Sequence, residues 1–599
     1  MFLQVTISLL LAYFLWSLVR FIHNYNEAKK IGLPMLITPI NPSGPLWMLT
    51  KDFLIPIVSR LPFGLGDWAI RGEMGWTFYV KYAIHAKHGD AFIIAGPGEN
   101  DIVVADPAAT EDVMRRRNDF IKNPAMYGML DIYGPNLDTV NGKVWDRHRK
   151  ITVPPFNEQN SALVWREAGE QAEQMLDVWT RRDAVRSTQP DVHALALNVL
   201  CGAGFGAHSG FVDATLPSSS SDGDDSFSSS SPSTSTNLKL GYRESLRMLL
   251  ANIVQLVFLA LLKRGGFPDW LLFGSMKKLS VAYEEFRAYM SEMLAREKRA
   301  FEQGDVSRHN LLSEMVRAME GSGSAVGGGP GGGLTDEEVY GNLFIYNLAG
   351  HDTTAATLHF ALTLLAVYPQ WQTWIAEEID AVHKADTSGL FYYEETFPKL
   401  TRVLALMYET VRLYGPVVLM PRYTADSAQR LVIQGKEHII PPRTTILLNF
   451  AALHRHPEYW GPDADEFRPD RWITDTSDSG AGPSNDSTSP LLFQPEPGSF
   501  VPWNLGPRIC PGKKFSQVEF TRVIFTLFAH GSRVQLAQTT AKGAVQDGET
   551  ETETETETGQ EAEAKARALA LRIVDEAKVE VTLKMVNPER IALKWVKQS

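Results

Sequence analysis

The fold is decided by residues 503–512, which read Trp503-Asn504-Leu505-Gly506-Pro507-Arg508-Ile509-Cys510-Pro511-Gly512. Glycine and proline on both sides of the cysteine predict a tight, irregular loop that aims backbone N–H groups at the sulfur. Such donors, with the nearby cation of Arg508, favour the thiolate over the thiol. A thiolate held in this way is an axial ligand for haem iron, whereas the alternative is a buried structural cysteine.

Composition excludes several classes of protein. The chain has 599 residues and a formal net charge of −12, which disfavours sequence-independent nucleic-acid binding because that requires a basic surface. Only two cysteines are present, Cys201 and Cys510, so a disulfide framework and a cysteine-rich zinc module are excluded. The composition also excludes collagen, coiled-coil and wholly disordered chains.

The N-terminus predicts a membrane anchor. No charged residue occurs from Phe2 to Val19, and the apolar run resumes at Phe21-Ile22. About 20 residues of helix span a bilayer core of roughly 30 Å. Basic residues follow the run, which places the body of the protein on the cytosolic side. The alternatives are a cleaved signal peptide and a buried core helix.

These patterns predict three regions: a transmembrane anchor at 1–22, a proline-rich hinge at 23–50 and one large domain at 51–599. The large domain is predicted to be mainly helical, with strand patterns at 91–94 and 101–104. Its low-complexity segments cannot bury enough apolar surface to offset the entropy of ordering, and we interpret them as surface inserts. They lie at 218–236, 321–333, 474–489 and 549–558.

A second motif lies on a long predicted helix. Thr335 and Glu338 form a capping-box pattern, and an apolar-rich pattern continues from there to Val367. Gly350 in mid-helix costs about 1 kcal/mol against alanine, which suggests a close approach or a kink at that position. The adjacent acid and hydroxyl, Asp352 and Thr353, can bind water and relay protons.

The loop motif resembles the haem-binding signature of the cytochromes P450, F-x-x-G-x-R-x-C-x-G. Gly506, Arg508, Cys510 and Gly512 match this signature, and Trp503 stands where the family usually has phenylalanine. The segment Ala349-Gly350-His351-Asp352-Thr353-Thr354 looks like the oxygen-activation motif of the family's central helix. By this resemblance Thr353 assists oxygen activation and Asp352 helps to deliver protons.

Two further segments extend the resemblance. Glu409 and Arg412 match the family's E-x-x-R, a weak pattern alone, and Arg471 follows in a P-D-R segment where the family has P-E-R. The resemblance implies that these three residues form a structural cluster. Trp145 and Arg149 match the W-x-x-x-R of the helix that contacts the haem propionates.

Two more arginines complete the cofactor-binding residues that the resemblance implies. Arg422 and Arg508 match other usual propionate donors, and His148 is a further candidate. The predicted cofactor-binding set is therefore Cys510, Trp145, Arg149, Arg422, Trp503, Gly506, Arg508 and Gly512, with Cys510 as the metal ligand.

The resemblance implies a cytochrome P450 fold, mainly α with small β-sheets, as a single haem-binding domain behind an N-terminal transmembrane helix. The implied cofactor is haem b, and the reaction inserts one atom of O2 into a lipophilic small molecule. No dinucleotide fingerprint accompanies a βαβ unit, so the electrons are expected to come from a partner. The resemblance implies that this partner is an NADPH-dependent cytochrome P450 reductase, with cytochrome b5 in some members. Basic residues such as Lys513, Lys514, Arg147 and Lys150 are candidates for docking the reductase.

The chain looks like a filamentous-fungal microsomal member of the family, with a single pass through the endoplasmic reticulum membrane, a cytosolic catalytic domain and a role in secondary metabolism. Two alternatives remain. One is a haem-thiolate isomerase, dehydratase or peroxide-using enzyme, against which the Asp352-Thr353 pair argues. The other is a non-enzymatic membrane-tethered interaction protein.

Overall fold

The structure is a computed structural model that describes residues 2–41, 44–62, 66–211, 240–305, 309–320, 333–386, 388–474, 491–537 and 559–597. The four predicted inserts lie outside these residues, except for Gly333 and Thr474 at their edges.

Helices dominate the described residues. Those in the N-terminal half are α1 (Phe2–Ile31), α2 (Pro45–Val58), α3 (Asp67–Ile70), α4 (Trp76–Val80), α5 (Ala83–His88), α6 (Pro107–Arg115), α7 (Pro124–Tyr127), α8 (Gly142–Thr152), α9 (Glu158–Thr180), α10 (Gln189–Phe205), α11 (Tyr242–Ala251) and α12 (Ile253–Arg264). Those in the C-terminal half are α13 (Gly274–Glu302), α14 (Leu311–Glu320), α15 (Asp336–Val367), α16 (Pro369–Ala385), α17 (Tyr393–Thr396), α18 (Thr401–Tyr414), α19 (Phe450–Leu453), α20 (Pro457–Trp460), α21 (Lys513–Phe528) and α22 (Gly559–Asp575).

The strands form small sheets. They are β1 (Met35–Ile37), β2 (Ala91–Ala95), β3 (Asp101–Val104), β4 (Phe120–Ile121), β5 (Val185–Arg186), β6 (Met420–Thr424), β7 (Gln429–Ile433), β8 (Lys436–Ile440), β9 (Thr445–Leu448), β10 (Ile473–Thr474), β11 (Leu491–Leu492), β12 (Ser532–Leu536), β13 (Lys578–Val579), β14 (Leu583–Lys584) and β15 (Ala592–Lys597).

The largest sheet has six strands in the order β1-β2-β3-β9-β6-β4. It is mixed, because β1 and β2, and β3 and β9, pair in parallel while its other pairs are antiparallel. The remaining strands form the sheet β12-β15-β5 and the two-stranded pairs β7-β8, β10-β11 and β13-β14. The predicted fold class, mainly α with small sheets, is confirmed, as are the strands expected at 91–94 and 101–104.

The long helix α15 begins and ends where its sequence predicts. Thr335 Oγ1 accepts the Glu338 N–H at 3.2 Å, and Glu338 Oε2 accepts the Thr335 N–H at 2.9 Å, which completes the capping box. Helix α15 ends before Pro369, because proline has no backbone N–H to donate within a continuing helix. Pro369 is instead the first residue of α16. Most of α15 is buried, so a wide apolar surface around the helix axis packs into the core.

Two glycines of α15 allow close packing. A Cβ on Gly350 would lie 3.1 Å from the Leu200 side chain of α10, which agrees with the close approach expected at this position. A Cβ on Gly341 would lie 2.4 Å from the Gly134 carbonyl oxygen, much closer than any real contact. The helix therefore presses against the backbone of the loop that precedes α8, a contact that the sequence did not indicate.

The predicted hinge at 23–50 is shorter in the structure than in the sequence interpretation. Helix α1 continues to Ile31, and its last turns contain the good helix formers Glu27, Ala28, Lys29 and Lys30. Helix α2 begins at Pro45. Among the described residues, no helix taken singly has the length and hydropathy of a membrane span, although α11 and α12, bent by 98°, reach it together.

Candidate functional site

The loop around Cys510 has the tight form that its glycines and prolines predict. Gly506 has φ +67° and begins a single 3-10 turn that ends at Arg508. The Cys510 N–H donates to the Trp503 carbonyl at 2.8 Å and closes the loop. A backbone hydrogen bond from Gly512 reaches the sulfur, and a Cβ on Gly512 would lie 3.8 Å from it. The sulfur is thus held by the backbone of its own loop.

Opposing effects act on the pKa of the Cys510 thiol. Burial raises the pKa of the Cys510 thiol, and the Gly512 N–H and the Arg149 guanidinium lower it by less. The loop donor and the cation thus act in the expected direction, and burial of the sulfur acts against them. A metal cation bonded to the sulfur would supply the missing stabilisation, since a coordinating thiol loses its proton outright.

Trp145, on α8, is surrounded by arginines. The guanidinium carbons of Arg117 and Arg508 each lie 4.7 Å from the centre of its ring system, and that of Arg149 lies 5.4 Å away. Arg149 Nη1 also donates to the Ile509 carbonyl at 3.3 Å, which ties α8 to the cysteine loop. The structure therefore brings Trp145, Arg149 and Arg508 together, as predicted.

Arg508 is buried and extends toward the chain before α8. Its Nη2 donates to the Val140 carbonyl at 3.1 Å and to Asn141 Oδ1 at 2.9 Å. Its Nε is a buried donor without a hydrogen-bond partner among the described residues. Burial and the positive charge of Arg422 lower the pKa of Arg508 to about 10.

Two further cations share this region. Arg422 is 2% exposed, and its Nη1 donates to the carbonyl of the preceding residue at 3.0 Å. Lys122, which the sequence analysis missed, forms an ion pair with Asp138. Burial lowers the pKa of Lys122 to about 8, and Arg422 and Arg508 contribute to this shift. No local motif marks Lys122, because it precedes α7 in a loop and meets the other cations only in the folded chain.

In this cationic cradle (Lys122, Arg149, Arg422 and Arg508) three cations are buried and Arg149 is half-buried, and among the described residues Asp138 is the carboxylate paired with them. Buried cations are stable when they are paired with anions, and a buried guanidinium N–H without a partner indicates that an acceptor binds there. Two carboxylates lying beside Trp145 would balance these charges. The donor set therefore fits a group that carries two carboxylates, as the propionates of a haem would, next to the cysteine loop.

His148 does not belong to this cradle, contrary to the sequence-based suggestion. The ring is fully buried, with Nε2 3.2 Å from Glu338 Oε1 and Nδ1 3.2 Å from Asn342 Nδ2. Both ring nitrogens are therefore engaged with α15, on the face of α8 that packs into the core. Arg147 is paired with Glu338 as well, so it is not an open cation for docking a partner protein.

The acid and hydroxyl of α15 have different surroundings. Thr353 is partly exposed, and its Oγ1 donates to the Ala349 carbonyl at 2.8 Å, one turn earlier. Asp352 is 4% exposed; its Oδ2 accepts from Thr582 Oγ1 at 2.6 Å and its Oδ1 lies 3.1 Å from Lys584 Nζ. The contacts of Asp352 are thus with the C-terminal hairpin rather than with Thr353, which the sequence did not indicate.

Glu409 organises a buried cluster around α18. Its carboxylate accepts from Arg412 twice at 2.8 Å, from Arg471 Nε at 3.0 Å and from Trp472 Nε1 at 2.9 Å. Arg412 also donates to the carbonyls of His454 and Ala464, which lie beside α19 and α20. The predicted cluster is present and joins α18 to the segment that leads toward the cysteine loop.

Comparison with known proteins gives concordant results. A family model described as "Cytochrome P450" matches residues 62–532. A cytochrome P450 monooxygenase of Penicillium roqueforti is 30% identical over 540 residues, covering 86% of this chain and 89% of its own. A phomenoic acid biosynthesis cluster cytochrome P450 monooxygenase of Leptosphaeria maculans is 27% identical, covering 88% and 91%. The solved haem domain of cytochrome P450DA superposes with a TM-score of 0.62 at 18% identity, covering 95% and 98%.

Proposed function

This chain belongs to the cytochrome P450 family and is a cytochrome P450 monooxygenase, and we propose that it oxidises a lipophilic small molecule at a haem b bonded to Cys510. The observation that carries the assignment of the site is the cationic cradle beside the cysteine loop. Among the described residues its cations outnumber their anionic partners, and one loop, residues 503–512, supplies both the sulfur and a buried arginine of the cradle, Arg508.

When bound, a haem with a thiolate ligand activates O2 with two electrons and two protons, so that one oxygen atom enters the substrate and the other leaves as water. Arg149, Arg422, Arg508 and Lys122 would hold the propionates, while Trp145 keeps three guanidinium groups in place. Trp503 packs on Tyr408 and donates from Nε1 to Ser516 Oγ at 3.1 Å, which fixes the start of the cysteine loop.

On the other side of the site, α15 supplies the groups that move protons. Thr353 is the more accessible of the two residues, and its hydroxyl can exchange the Ala349 carbonyl for a water or a substrate oxygen. Asp352, buried behind it, would take up a proton and pass it toward the Thr353 side of the helix. Val417, Leu419 and Met420 are half-buried apolar residues before and at the start of β6, consistent with a lipophilic substrate.

The test compares electron sources. Purified haem-loaded protein is supplied with NADPH and a cytochrome P450 reductase, or with hydrogen peroxide alone, and is screened against terpenoids, polyketides and fatty acids. The proposal expects products that contain one oxygen atom from labelled O2 only when NADPH and reductase are both present. Turnover with peroxide and no reductase would instead support a peroxide-using enzyme. Thr353→Ala is expected to release more peroxide per NADPH while Thr353→Ser restores coupling.

We also propose that the chain is a single-pass protein of the endoplasmic reticulum membrane with its catalytic domain in the cytosol. Its electrons would come from a reductase that docks near Lys150. Lys150 is exposed, whereas Lys513 and Lys514 are half-buried, with Lys514 Nζ 4.4 Å from the Phe397 ring centre. Lys150→Glu is therefore expected to slow reduction by the reductase at low salt, with a smaller effect at high salt.

Exposed apolar side chains support attachment to a membrane. On α1 they include Leu11, Phe14, Trp16 and Val19, while the C-terminal part of the helix is bound to the body by Asn24, whose amide donates to the carbonyls of Gly96 and Gly98. Removal of residues 2–19 would therefore leave the docked part of α1 in place. The deletion variant is expected to move from the membrane fraction to the supernatant at high salt, and retention in the membrane fraction would contradict this role of α1.

A further inference from the structure

Asp352 is held by a hairpin that lies more than 200 residues further along the chain. The hairpin of β13 and β14, residues 578–584, presents Thr582 Oγ1 at 2.6 Å from Asp352 Oδ2 and Lys584 Nζ at 3.1 Å from Oδ1. The hairpin is itself fixed to the end of α18, because the Leu583 N–H donates to the Pro416 carbonyl at 3.0 Å. Lys584 is therefore placed against α15 by backbone structure and not by its own flexible side chain alone.

The other groups around Asp352 are weaker countercharges. His193, from α10, has Nδ1 3.6 Å from Asp352 Oδ1, and its ring packs edge-on against His351. His351 Nδ1 is engaged with the Asn347 carbonyl on α15 itself. Burial lowers the pKa of both imidazoles, so neither carries a full positive charge at neutral pH. Lys584 is therefore the principal positive charge facing Asp352, with Glu580 at 3.9 Å on its far side.

Two opposing effects set the charge of Asp352. Burial by itself raises the pKa of this carboxyl, but Lys584 and, less strongly, the Thr582 hydroxyl lower it by more, so that the net shift is downward. The ion pair with Lys584 is the largest of the contributions that favour the ionised form of this buried carboxyl. Lys584 is 23% exposed, so the pair lies close to the surface and solvent can reach its outer side.

We propose that Lys584 is a positioning residue that keeps Asp352 ionised and turned toward the hairpin, and thereby sets the pH range in which Asp352 can deliver protons. The inference rests on the proposed function, which assigns proton delivery to Asp352. For each proton delivered, the carboxylate takes one proton from hydronium on the solvent side and gives one proton to water on the Thr353 side. The carboxylate is regenerated, and no electrons move in this step. The hairpin holds the carboxylate in the form that can accept the proton.

The test measures the protonation of Asp352 directly. Infrared spectra of the haem-loaded protein are recorded across pH, and the carboxyl band of Asp352 is identified by its loss in Asp352→Asn. Lys584→Met is expected to raise the midpoint of this band by about one to three pH units, because an opposite charge at this distance is removed while burial remains. Lys584→Arg is expected to restore the midpoint, and Thr582→Val to raise it by less than Lys584→Met.

The matched control is Lys578→Met, in the same hairpin. Lys578 is 57% exposed and lies 3.9 Å from Glu73, away from Asp352. It is expected to leave both the Asp352 band and the coupling of NADPH use to product unchanged. A folded Lys584→Met protein with the wild-type midpoint would overturn the proposal, and Lys584→Gln serves if the methionine variant does not fold.

A second measurement separates this inference from the proposed function. The fraction of NADPH that ends as peroxide is measured against pH in wild type, Lys584→Met and Asp352→Asn. The inference expects the coupled range of Lys584→Met to move with the infrared midpoint. If the midpoint moves while Asp352→Asn leaves coupling unchanged at every pH, the charge control by Lys584 stands and the proton-delivery role of Asp352 fails.

Discussion

Arg412 and Glu409 form two parallel hydrogen bonds inside the core, from Nε to Oε2 and from Nη2 to Oε1, each 2.8 Å long. Neither side chain is exposed to solvent. Burial alone would raise the pKa of Glu409, but Arg412 and Arg471 outweigh it and hold the carboxyl below its usual range. The remaining N–H groups of Arg412 reach backbone carbonyls, so the pair acts as a junction between α18 and the chain that leads to the cysteine loop.

Breaking this pair is expected to destabilise the fold strongly. Glu409→Gln leaves Arg412 buried without a countercharge, which should lower the free energy of unfolding by about 3–5 kcal/mol. Denaturant unfolding of the haem-free protein measures this loss. The surface pair of Arg402 and Glu377, at 2.7 Å, is the control, and Glu377→Gln should cost about 1 kcal/mol or less. Equal losses in the two variants would show that Glu409 is not a structural junction.

The two glycines of α15 are expected to respond differently to alanine. Gly341→Ala places a methyl group 2.4 Å from the Gly134 carbonyl oxygen, so the loop backbone must move, at a cost of about 1–3 kcal/mol. Gly350→Ala meets only the end of the Leu200 side chain at 3.1 Å and gains about 1 kcal/mol of helix propensity, so its net effect should be small. Thermal unfolding of both variants measures the difference, and an equal loss of stability would contradict the packing described here.

Arg508 is expected to matter for the cofactor more than for the empty protein. The Arg508→Gln change removes a buried positive charge that is repelled by Arg422 and Lys122. The haem-free fold should therefore keep its stability. Haem transfer to apomyoglobin should become about tenfold faster, because a charge-assisted hydrogen bond to a propionate is lost. Arg115→Gln, at an exposed surface pair, is the control. Unchanged haem retention in Arg508→Gln would remove Arg508 from the cradle.

Acid is expected to destabilise the protein through His454. Burial, with Arg412 and Arg455 nearby, lowers the pKa of His454 to about 3, and its Nε2 accepts the Val501 N–H at 3.0 Å. The unfolded chain binds this proton near pH 6.5, so the folded state loses stability progressively as the pH falls from about 6.5 toward 3. In His454→Gln the decline of the unfolding free energy between pH 7 and pH 5 should be shallower. An equally steep decline would assign the acid sensitivity to other groups.

The sequence predicted what depends on near neighbours in the chain. The capping box of Thr335 and Glu338, the pairing of Glu409 with Arg412 and the tight loop around Cys510 each involve residues at most a few positions apart, whose geometry local backbone rules determine. The family signature added Arg471 to the Glu409 cluster, and the structure shows this contact. It also grouped Arg149 and Arg508 with Trp145, and these side chains lie together, while their contact with haem propionates stays a prediction.

The sequence could not predict contacts that only the folded chain creates. Lys584 meets Asp352 across 232 positions, and no periodic pattern links a strand residue of a hairpin to a helix so far away. The same holds for Lys122 in the cradle and for Gly341 against Gly134. For His148 the sequence suggested a contact that the fold does not make. The residue lies within a recognised motif, but the packing of α8 on α15 turns its ring toward Glu338 in the core.

The central claim is that the sulfur of Cys510 is the ligand of haem iron, and the spectrum of the reduced, carbon monoxide-bound protein tests it most directly. Cys510→Ser and Cys201→Ser are compared with wild type, since Cys201 is a second free cysteine, buried in α10. The account predicts that wild type and Cys201→Ser show the red-shifted Soret band of a thiolate ligand and that Cys510→Ser loses it. A Cys510→Ser protein that retains this band would contradict the account.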